Sequence, residues 1–497
     1  MKIKSNHSPI KQLLTLLFFI IPCTYLASCG LKTKSSGNGK FREQPLSLEP
    51  PSKYHLADPQ CQQSNAKLSL DSTNVWHWDG PNVVNSPKPL RNTNSDGSLN
   101  SNIISETSYG MHIRKICHSP DLNEGACVDE NQELSQFYLQ KNAQPLKVCR
   151  NDFNYPRDSY EGVALTSIHY VNSAADTYRR IMNENLPKVS LQIMPLYETL
   201  YLGVKTKAGP PRNISLWMTD NLAYSPMSQS ILVFPQRAAS ADRDDKFWES
   251  SFVLAHELGH HIEFAKFDHI FHSVGLKWSQ QFHRFVEADS TYEMESLSGF
   301  SRTSSIFSTI SEAFADIIAF YAGRGEVHSL ANLTCLGRNR NIRNAFFADN
   351  TPKELNTRVL DELFQKISPK GYTCNDVNFS DPHLSGAVLA YVLYQVFEIA
   401  VPDENGLDID GRMSEKVSDE RYRRSIRWVG SYLQKLKEIR LKSSEVTDIQ
   451  LFEPMVHAID QSIDGLNLSK AQQTQVCEKV SKLLPIFSEE QLRPVCR

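Results

Sequence analysis

The chain has few features of a nucleic-acid-binding or multi-span membrane protein. Its 497 residues carry a formal net charge of -3, and no block of consecutive basic residues is present to bind a polyphosphate backbone. Beyond the N-terminal apolar run, we predict no further segment that spans a membrane. We therefore expect no nucleic-acid partner, and the hydrophobic content of 40% predicts an ordinary globular body with a large core.

Two widespread metal-binding patterns are also missing. No two cysteines have the C-x-x-C spacing of a zinc knuckle. The acidic segment that ends at Asp410 offers no EF-hand loop, because Gly406 occupies the first ligand position and no glutamate occupies the twelfth. We interpret that segment as a solvated acidic turn and predict no EF-hand calcium site.

The N-terminus has the order of segments found in an export signal. Three lysines precede the apolar run from Leu13 to Ile21, and the sequence Leu26-Ala27-Ser28-Cys29-Gly30 follows. This order resembles a bacterial lipoprotein signal with its lipobox, which implies a signal peptide over residues 1-28 and a lipid on Cys29. A plain secretory signal is the alternative. We expect residues 29-52 to be a flexible tether to the cell envelope, with the outer membrane preferred because Gly30 is not aspartate.

Cysteine usage agrees with export to an oxidising compartment. The chain has 10 cysteines, of which Cys23 and Cys29 belong to the predicted signal and lipid site. The others are even in number and permit four disulfides. Short separation favours the pairs Cys477–Cys496 and Cys335–Cys374. The remaining cysteines would pair among themselves in a small Cys-rich N-terminal domain over residues 53-150: Cys61, Cys117, Cys127 and Cys149.

The most informative motif is His256-Glu257-Leu258-Gly259-His260. Residues four apart share one face of an α-helix, so His256 and His260 can hold one metal ion while Glu257 stays outside the ligand set as a general base. The run from Trp248 to Phe267 has helical apolar spacing and no proline. We predict a buried helix with its histidine face toward a cleft; a packed helix that carries these polar residues by chance is the alternative.

A catalytic zinc ion usually has three protein ligands and one open position, so this motif needs a further ligand. The metzincin spacing is excluded, because Glu263 and Lys266 stand where that class has glycine and histidine. The helix predicted over Thr309 to Ala319 instead carries Glu312 and Asp316 on one face. Glu312 is the candidate ligand, and Asp316 is the candidate acceptor behind a ligand histidine. An amphipathic helix with two solvent-facing acids is the alternative.

Together these motifs resemble the thermolysin-type metallopeptidases, a gluzincin family. The resemblance implies a zinc ion held by His256, His260 and Glu312, with Asp316 behind the first histidine and Glu257 as the general base. The implied fold class is α+β, a zincin two-lobe metallopeptidase fold. Its mixed α/β upper lobe would cover residues 151-265 and end in the motif helix, and its mainly helical lower lobe would cover residues 266-497.

Two further segments resemble that family. Asn221, Ala223 and Tyr224, which precede the apolar strand Ile231 to Phe234, are similar to the edge strand that holds the substrate peptide. His383, at the start of a long apolar helix, is similar to the histidine that stabilises the transition state. A helix cap or a core residue is the alternative for His383.

The segment between the two ligand helices is longer than in the resembled family. We therefore predict an insertion over residues 266-308, with a short helix from Leu276 to Glu287 and a Ser/Thr-rich loop after it. Its place beside the cleft favours a lid or specificity loop, and a surface loop without a role is the alternative. Later helices are predicted at Leu355–Ile367, Leu384–Ile399, Asp419–Arg440, Ile449–Ile463 and Lys470–Leu484.

The sequence thus predicts a zinc-dependent endopeptidase that cleaves a peptide or protein substrate. Zinc aminopeptidases also use His-Glu-x-x-His, but they often have a Gly-Ala-Met-Glu-Asn strand, and this chain has Asn221-Leu222-Ala223-Tyr224 upstream of its motif. A third class is a surface lipoprotein that binds peptides without cutting them. Loss of the ligands, of Glu257 or of His383 would favour that class, and all of them are present.

Overall fold

The structure is a computed structural model that describes most of the chain beyond residue 45. The described residues are 46–47, 50–63, 72–79, 82–89, 99, 101–117, 137–141, 143–149, 154–206, 209–225, 228–236, 246–273, 276–279, 284–287, 296–326, 342–343, 354–363, 382–404, 406–408, 411–442 and 447–496. The predicted signal peptide, Cys29 and the pair Cys335–Cys374 lie outside them.

The described elements are mainly strands up to residue 233 and mainly helices after it. The strands are β1 (Leu46–Ser47), β2 (Ser72–Asp79), β3 (Asn82–Pro89), β4 (Ile104–Tyr109), β5 (His112–Cys117), β6 (Phe137–Lys141), β7 (Gln144–Pro145), β8 (Val189–Ile193), β9 (Leu196–Thr206), β10 (Gly209–Met218), β11 (Leu222–Ser225), β12 (Ser230–Val233), β13 (Leu276–Ser279) and β14 (Arg284–Glu287). The helices are α1 (Tyr160–Met182), α2 (Ser251–Ser273), α3 (Ser296–Ala322), α4 (Thr357–Leu363), α5 (Pro382–Ala400), α6 (Glu415–Lys442), α7 (Asp448–Ile463), α8 (Lys470–Leu483) and α9 (Glu489–Leu492). The predicted α+β class is confirmed at this level.

Two five-stranded sheets hold most of the strands. Their orders are β1-β10-β9-β5-β6 and β11-β12-β8-β4-β7. The pairs β4–β8, β5–β9 and β8–β12 are parallel. Strands from the first third of the chain therefore lie inside the same sheets as β8 to β12.

This sheet order corrects the prediction of a separate N-terminal domain over residues 53-150. Strands β4 to β7 come from that range, yet they complete the sheets of the predicted upper lobe. The end of the predicted tether is also paired, since Leu46 and Ser47 lie opposite Met218 and Trp217 of β10. Alternating sequence patterns indicate strands but do not identify the distant strand with which each one pairs, so the boundary at residue 150 could not be recognised from the sequence.

Helices α2, α3 and α5 form the centre of the helical part. The aliphatic residues of α2 that led to its prediction are buried, among them Val253, Leu258 and Ile262. The predicted helix Thr309 to Ala319 lies inside α3, and all later helix predictions fall on described helices with shifted ends. The predicted lobe boundary at residue 265 falls within α2, because that helix continues without a break to Ser273.

The predicted insertion has a different local structure from the one expected. Leu276–Ser279 and Arg284–Glu287 form an antiparallel pair, β13 with β14, so the predicted helix from Leu276 to Glu287 is wrong. The alternation of apolar and polar residues in Leu276-Lys277-Trp278-Ser279 has the two-residue period of a strand. Helix α3 also begins at Ser296, so the predicted Ser/Thr-rich loop is partly helical.

Helix α5 is apolar enough and, with 19 residues, long enough to cross a membrane by length and composition alone. The sequence prediction of no second span therefore overlooked it. In this fold 83% of its apolar window is buried, and it packs against α3. A core helix of a globular protein has the same composition, because it too is surrounded by apolar groups.

Two disulfides join described cysteines. Cys477–Cys496 is confirmed as predicted. Cys61 pairs with Cys149, across a Cα–Cα distance of 5.5 Å, in agreement with the prediction that the cysteines of residues 53-150 pair among themselves. The second bond ties the segment before β2 to the segment after β7.

Candidate metal centre

Three side chains meet between α2 and α3 with their ligand atoms close together. His256, His260 and Glu312 each offer one ligand atom, and these atoms all lie within 4.8 Å of one another. The two Nε2 atoms are 3.1 Å apart, and Glu312 oxygens lie 3.2 Å from His256 Nε2 and 3.7 Å from His260 Nε2. Zinc bonds of about 2.0–2.1 Å in a tetrahedron place the ligand atoms about 3.3 Å apart. This group can therefore hold a metal ion.

The other ring nitrogen of each histidine is occupied by a polar partner. His256 Nδ1 lies 2.9 Å from Asp316 Oδ1, as the sequence predicted for Asp316. His260 Nδ1 lies 2.9 Å from Ser311 Oγ. An imidazole that donates its Nδ1 proton presents the lone pair of Nε2 to a metal. Both rings therefore have the arrangement that metal-binding histidines require.

Sequence reasoning missed the partner of His260. Ser311 donates its hydroxyl proton to Oε2 of Glu263, which lies three residues after His260 on α2 and is fully buried. A signal was present, because Glu263 follows His260 at the spacing that shares a helix face, and Ser311 directly precedes the ligand Glu312. From the sequence, Glu263 served only to exclude the metzincin spacing, and no role in the site was predicted for it.

A close contact between helix backbones brings the ligands together. A Cβ atom on Gly259 would lie 2.8 Å from the Cα atom of Ala315, so only glycine allows α2 and α3 to approach this closely. Gly259 directly precedes His260, and Ala315 directly precedes Asp316. The glycine in the motif therefore sets the distance between the histidines and the carboxylates of α3.

A second close contact places His383 at the same centre. A Cβ atom on Gly386 would lie 2.7 Å from Glu312 Cβ. Because glycine has no Cβ atom, the start of α5 can pack closely against α3 at this position. His383, one turn earlier, is buried, and its Nε2 atom lies 3.4 Å from Glu312 Oε2. The structure thus brings His383 to the predicted site, although the histidine is far from the motif in sequence.

Negative charge is concentrated around the three ligands. The carboxylates of Glu257, Glu312 and Asp316 are buried on the two facing helices. The carboxyl group of Glu263 is buried there too, but burial raises its pKa to about 8, so it adds little to this charge at neutral pH. Burial alone raises the pKa of Glu312, but the charges of His383 and His260 and the contact with His256 hold this pKa well below its ordinary value. Buried carboxylates are stable when they are paired or coordinate a metal, so this charge favours a bound cation.

The predicted substrate-binding residues lie on or next to an edge strand. Among the described strands, β11 lies at one end of its sheet and is paired with β12, and it packs against α2. Ala223 is buried on one face of β11. Tyr224 is buried on the other face, where its hydroxyl lies 3.0 Å from His261 Nδ1 of α2. The Tyr224 side chain therefore belongs to the contact between strand and helix, a role that sequence reasoning did not anticipate.

Asn221 precedes β11 and is buried. Its backbone carbonyl accepts a hydrogen bond of 3.0 Å from Phe234 N–H. Its side-chain Oδ1 has no hydrogen-bond partner among the described residues. A buried amide oxygen that the fold does not satisfy is suited to a hydrogen bond with a ligand.

The chain matches no model of a known protein family, and no curated protein is significantly similar to it. The likeness to thermolysin-type peptidases therefore remains a prediction that is based on the motifs.

Proposed function

We propose that this protein is a zinc-dependent endopeptidase. The observation that carries the proposal is the convergence of His256, His260 and Glu312, with a hydrogen-bond partner behind each histidine. Two imidazoles and one carboxylate are a ligand set used by catalytic zinc sites, which keep one further position open for water or substrate.

The remaining roles follow from the position of each side chain. A zinc ion at this centre supplies Lewis-acid chemistry, since it lowers the pKa of a bound water and polarises a carbonyl group. Glu257 lies between the ligand histidines in sequence and is outside the ligand group. As general base it takes a proton from water and then passes it to the leaving amine. His383 donates a hydrogen bond to the oxyanion that forms on the scissile carbonyl.

The substrate in this proposal is an extended peptide. An extended peptide can add to the edge of a sheet through main-chain hydrogen bonds, and β11 offers such an edge beside α2. The unsatisfied Oδ1 of Asn221 supplies a further acceptor for a peptide N–H. Ala223 and Tyr224 contribute through their backbone, because their side chains are buried on the two faces of the strand, where that of Tyr224 contacts His261.

The place of action in this proposal is the bacterial cell envelope. It is supported by the lipobox-like sequence that ends at Cys29 and by the two disulfides, which form in oxidising compartments. A lipid on Cys29 would hold the enzyme at a membrane, with the outer membrane preferred. Its substrates would then be peptides or proteins of the envelope or its surroundings.

Glu257→Gln tests the proposal directly. The variant should lose peptide cleavage and keep one zinc ion per chain, because the amide has the shape of the carboxylate but accepts no proton. Purified wild type should contain a transition metal and cleave members of a random peptide library until a chelator is added. A Glu257→Gln variant that still cleaves, or a wild type without metal, would contradict the proposal.

The same assay separates the alternatives. Cleavage of internally quenched peptides with blocked termini indicates an endopeptidase, whereas cleavage that requires a free amino terminus indicates an aminopeptidase. Zinc binding and peptide binding without any cleavage would indicate a surface lipoprotein that only holds peptides.

A further inference from the structure

The ligand His260 is connected to a second buried carboxylate through a hydroxyl group. Ser311 Oγ lies 2.9 Å from His260 Nδ1, and the same hydroxyl donates to Glu263 Oε2. His256 makes the equivalent connection directly, since its Nδ1 lies 2.9 Å from Asp316 Oδ1. Each ligand histidine is therefore connected to a fully buried carboxylate, either directly or through the Ser311 hydroxyl.

The direction of the two hydrogen bonds that Ser311 makes, with His260 and with Glu263, determines which nitrogen of His260 carries the proton. A serine hydroxyl has one proton to donate. When that proton goes to Glu263, Ser311 Oγ accepts the Nδ1 proton of His260, and Nε2 presents its lone pair. In the opposite direction Ser311 would donate to Nδ1, and the proton would then be on Nε2, where it blocks metal binding.

We propose that Glu263 is a positioning residue of the metal centre, which orients the Ser311 hydroxyl so that His260 Nε2 is available as a ligand. This inference rests on the metal site of the proposed function. It assigns a role to a buried carboxylate that neither binds the metal nor takes part in proton transfer.

The surroundings of Glu263 favour this role over a purely structural one. Its second oxygen, Oε1, is buried and has no hydrogen-bond partner among the described residues. A buried carboxylate with one unsatisfied oxygen destabilises a fold more than an apolar residue of similar volume does. Burial raises the pKa of Glu263 to about 8, the Ser311 hydrogen bond opposes this rise, and the charge of Glu312 adds to it. The acceptor role of Oε2 is the same whether or not Oε1 carries a proton.

The test compares Glu263→Leu, Glu263→Gln and Ser311→Ala in the full chain. The dissociation constant for Zn²⁺ is measured by competition with a chromophoric chelator, and thermal unfolding is measured on the zinc-free proteins. Glu263→Leu should weaken zinc binding about 10–100-fold, the usual effect of losing a partner behind a metal-bound histidine. Glu263→Gln should bind zinc nearly as wild type does, because its amide oxygen still accepts the Ser311 proton.

Two further results identify the hydrogen-bonded chain itself. Ser311→Ala should weaken binding as much as Glu263→Leu does, and the double variant should bind no more weakly than either single variant, because all three break the same connection. The zinc-free Glu263→Leu protein should unfold at the wild-type temperature or above it. A purely structural role would instead lower that temperature and leave zinc affinity unchanged.

The outcomes distinguish this inference from the proposed function. If wild type binds zinc and Glu263→Leu binds it equally well, the role of Glu263 is overturned while the metal site stands. If wild type binds no zinc, both are overturned. Equal losses in Glu263→Gln and Glu263→Leu would also overturn the inference, because the amide retains the acceptor.

Discussion

Replacement of Gly259 by alanine should disturb both the fold and the metal centre. The new Cβ atom would lie 2.8 Å from Ala315 Cα and 3.2 Å from Ala315 Cβ. Carbon atoms at their optimal contact are about 3.5–4.0 Å apart, so α2 and α3 must separate by roughly 0.7 Å or more. The obstacle is the backbone of a packed helix, and no side-chain rotation can relieve it.

Two opposing terms set the size of the effect on stability. Overpacking of a core contact costs about 1–3 kcal/mol, whereas alanine in a helix interior is favoured over glycine by about 1 kcal/mol. Gly430 offers a matched control, because it also lies within a helix and its added Cβ would lie 3.4 Å from the end of the Phe267 ring. Gly430→Ala should therefore be neutral or stabilising, and the difference between the two variants should be about 1–3 kcal/mol.

The effect on metal binding follows from the same displacement. Zinc sites tolerate deviations of about 0.2 Å in ligand distance, and the displacement between the histidines of α2 and Glu312 of α3 is larger. If the displacement makes the free energy of zinc binding about 1.4 kcal/mol less favourable, zinc affinity drops about tenfold. Urea unfolding of the zinc-free proteins with intact disulfides and chelator competition measure the two effects. The reasoning is refuted if Gly259→Ala equals Gly430→Ala in both stability and zinc affinity.

Two other substitutions separate metal binding from catalysis. Asp316→Ala should weaken zinc binding about 10–100-fold in a chelator competition, because it removes the carboxylate that accepts the Nδ1 proton of His256; unchanged affinity would show that Asp316 does not support this ligand. His383→Leu should lower kcat about 10²–10³-fold, the usual effect of losing one donor to an oxyanion, with zinc affinity retained. A variant that loses zinc as well would show that His383 belongs to the ligand set.

Local periodicity was sufficient to predict the helices of the candidate site. The spacing of His256 and His260 and that of Glu312 and Asp316 place each pair on one face of a helix in any packed fold. Side chains four residues apart meet because of helix geometry alone. The predicted helix positions therefore agree with the structure, and Glu312 and Asp316 share one face of α3 as expected, whereas the hairpin at Leu276–Ser279 shows that short segments with few apolar residues are ambiguous.

The sequence by itself determined which residues could act together on each helix, and it also indicated the cysteine pair Cys477–Cys496. Only the tertiary structure decided that α2 and α3 touch at Gly259, that α5 brings His383 to Glu312, and that Ser311 connects His260 to Glu263. It also decided that strands before residue 150 complete the central sheets. The physical reason is that a helix face is set by neighbouring residues, whereas contacts between distant segments depend on how complete surfaces pack.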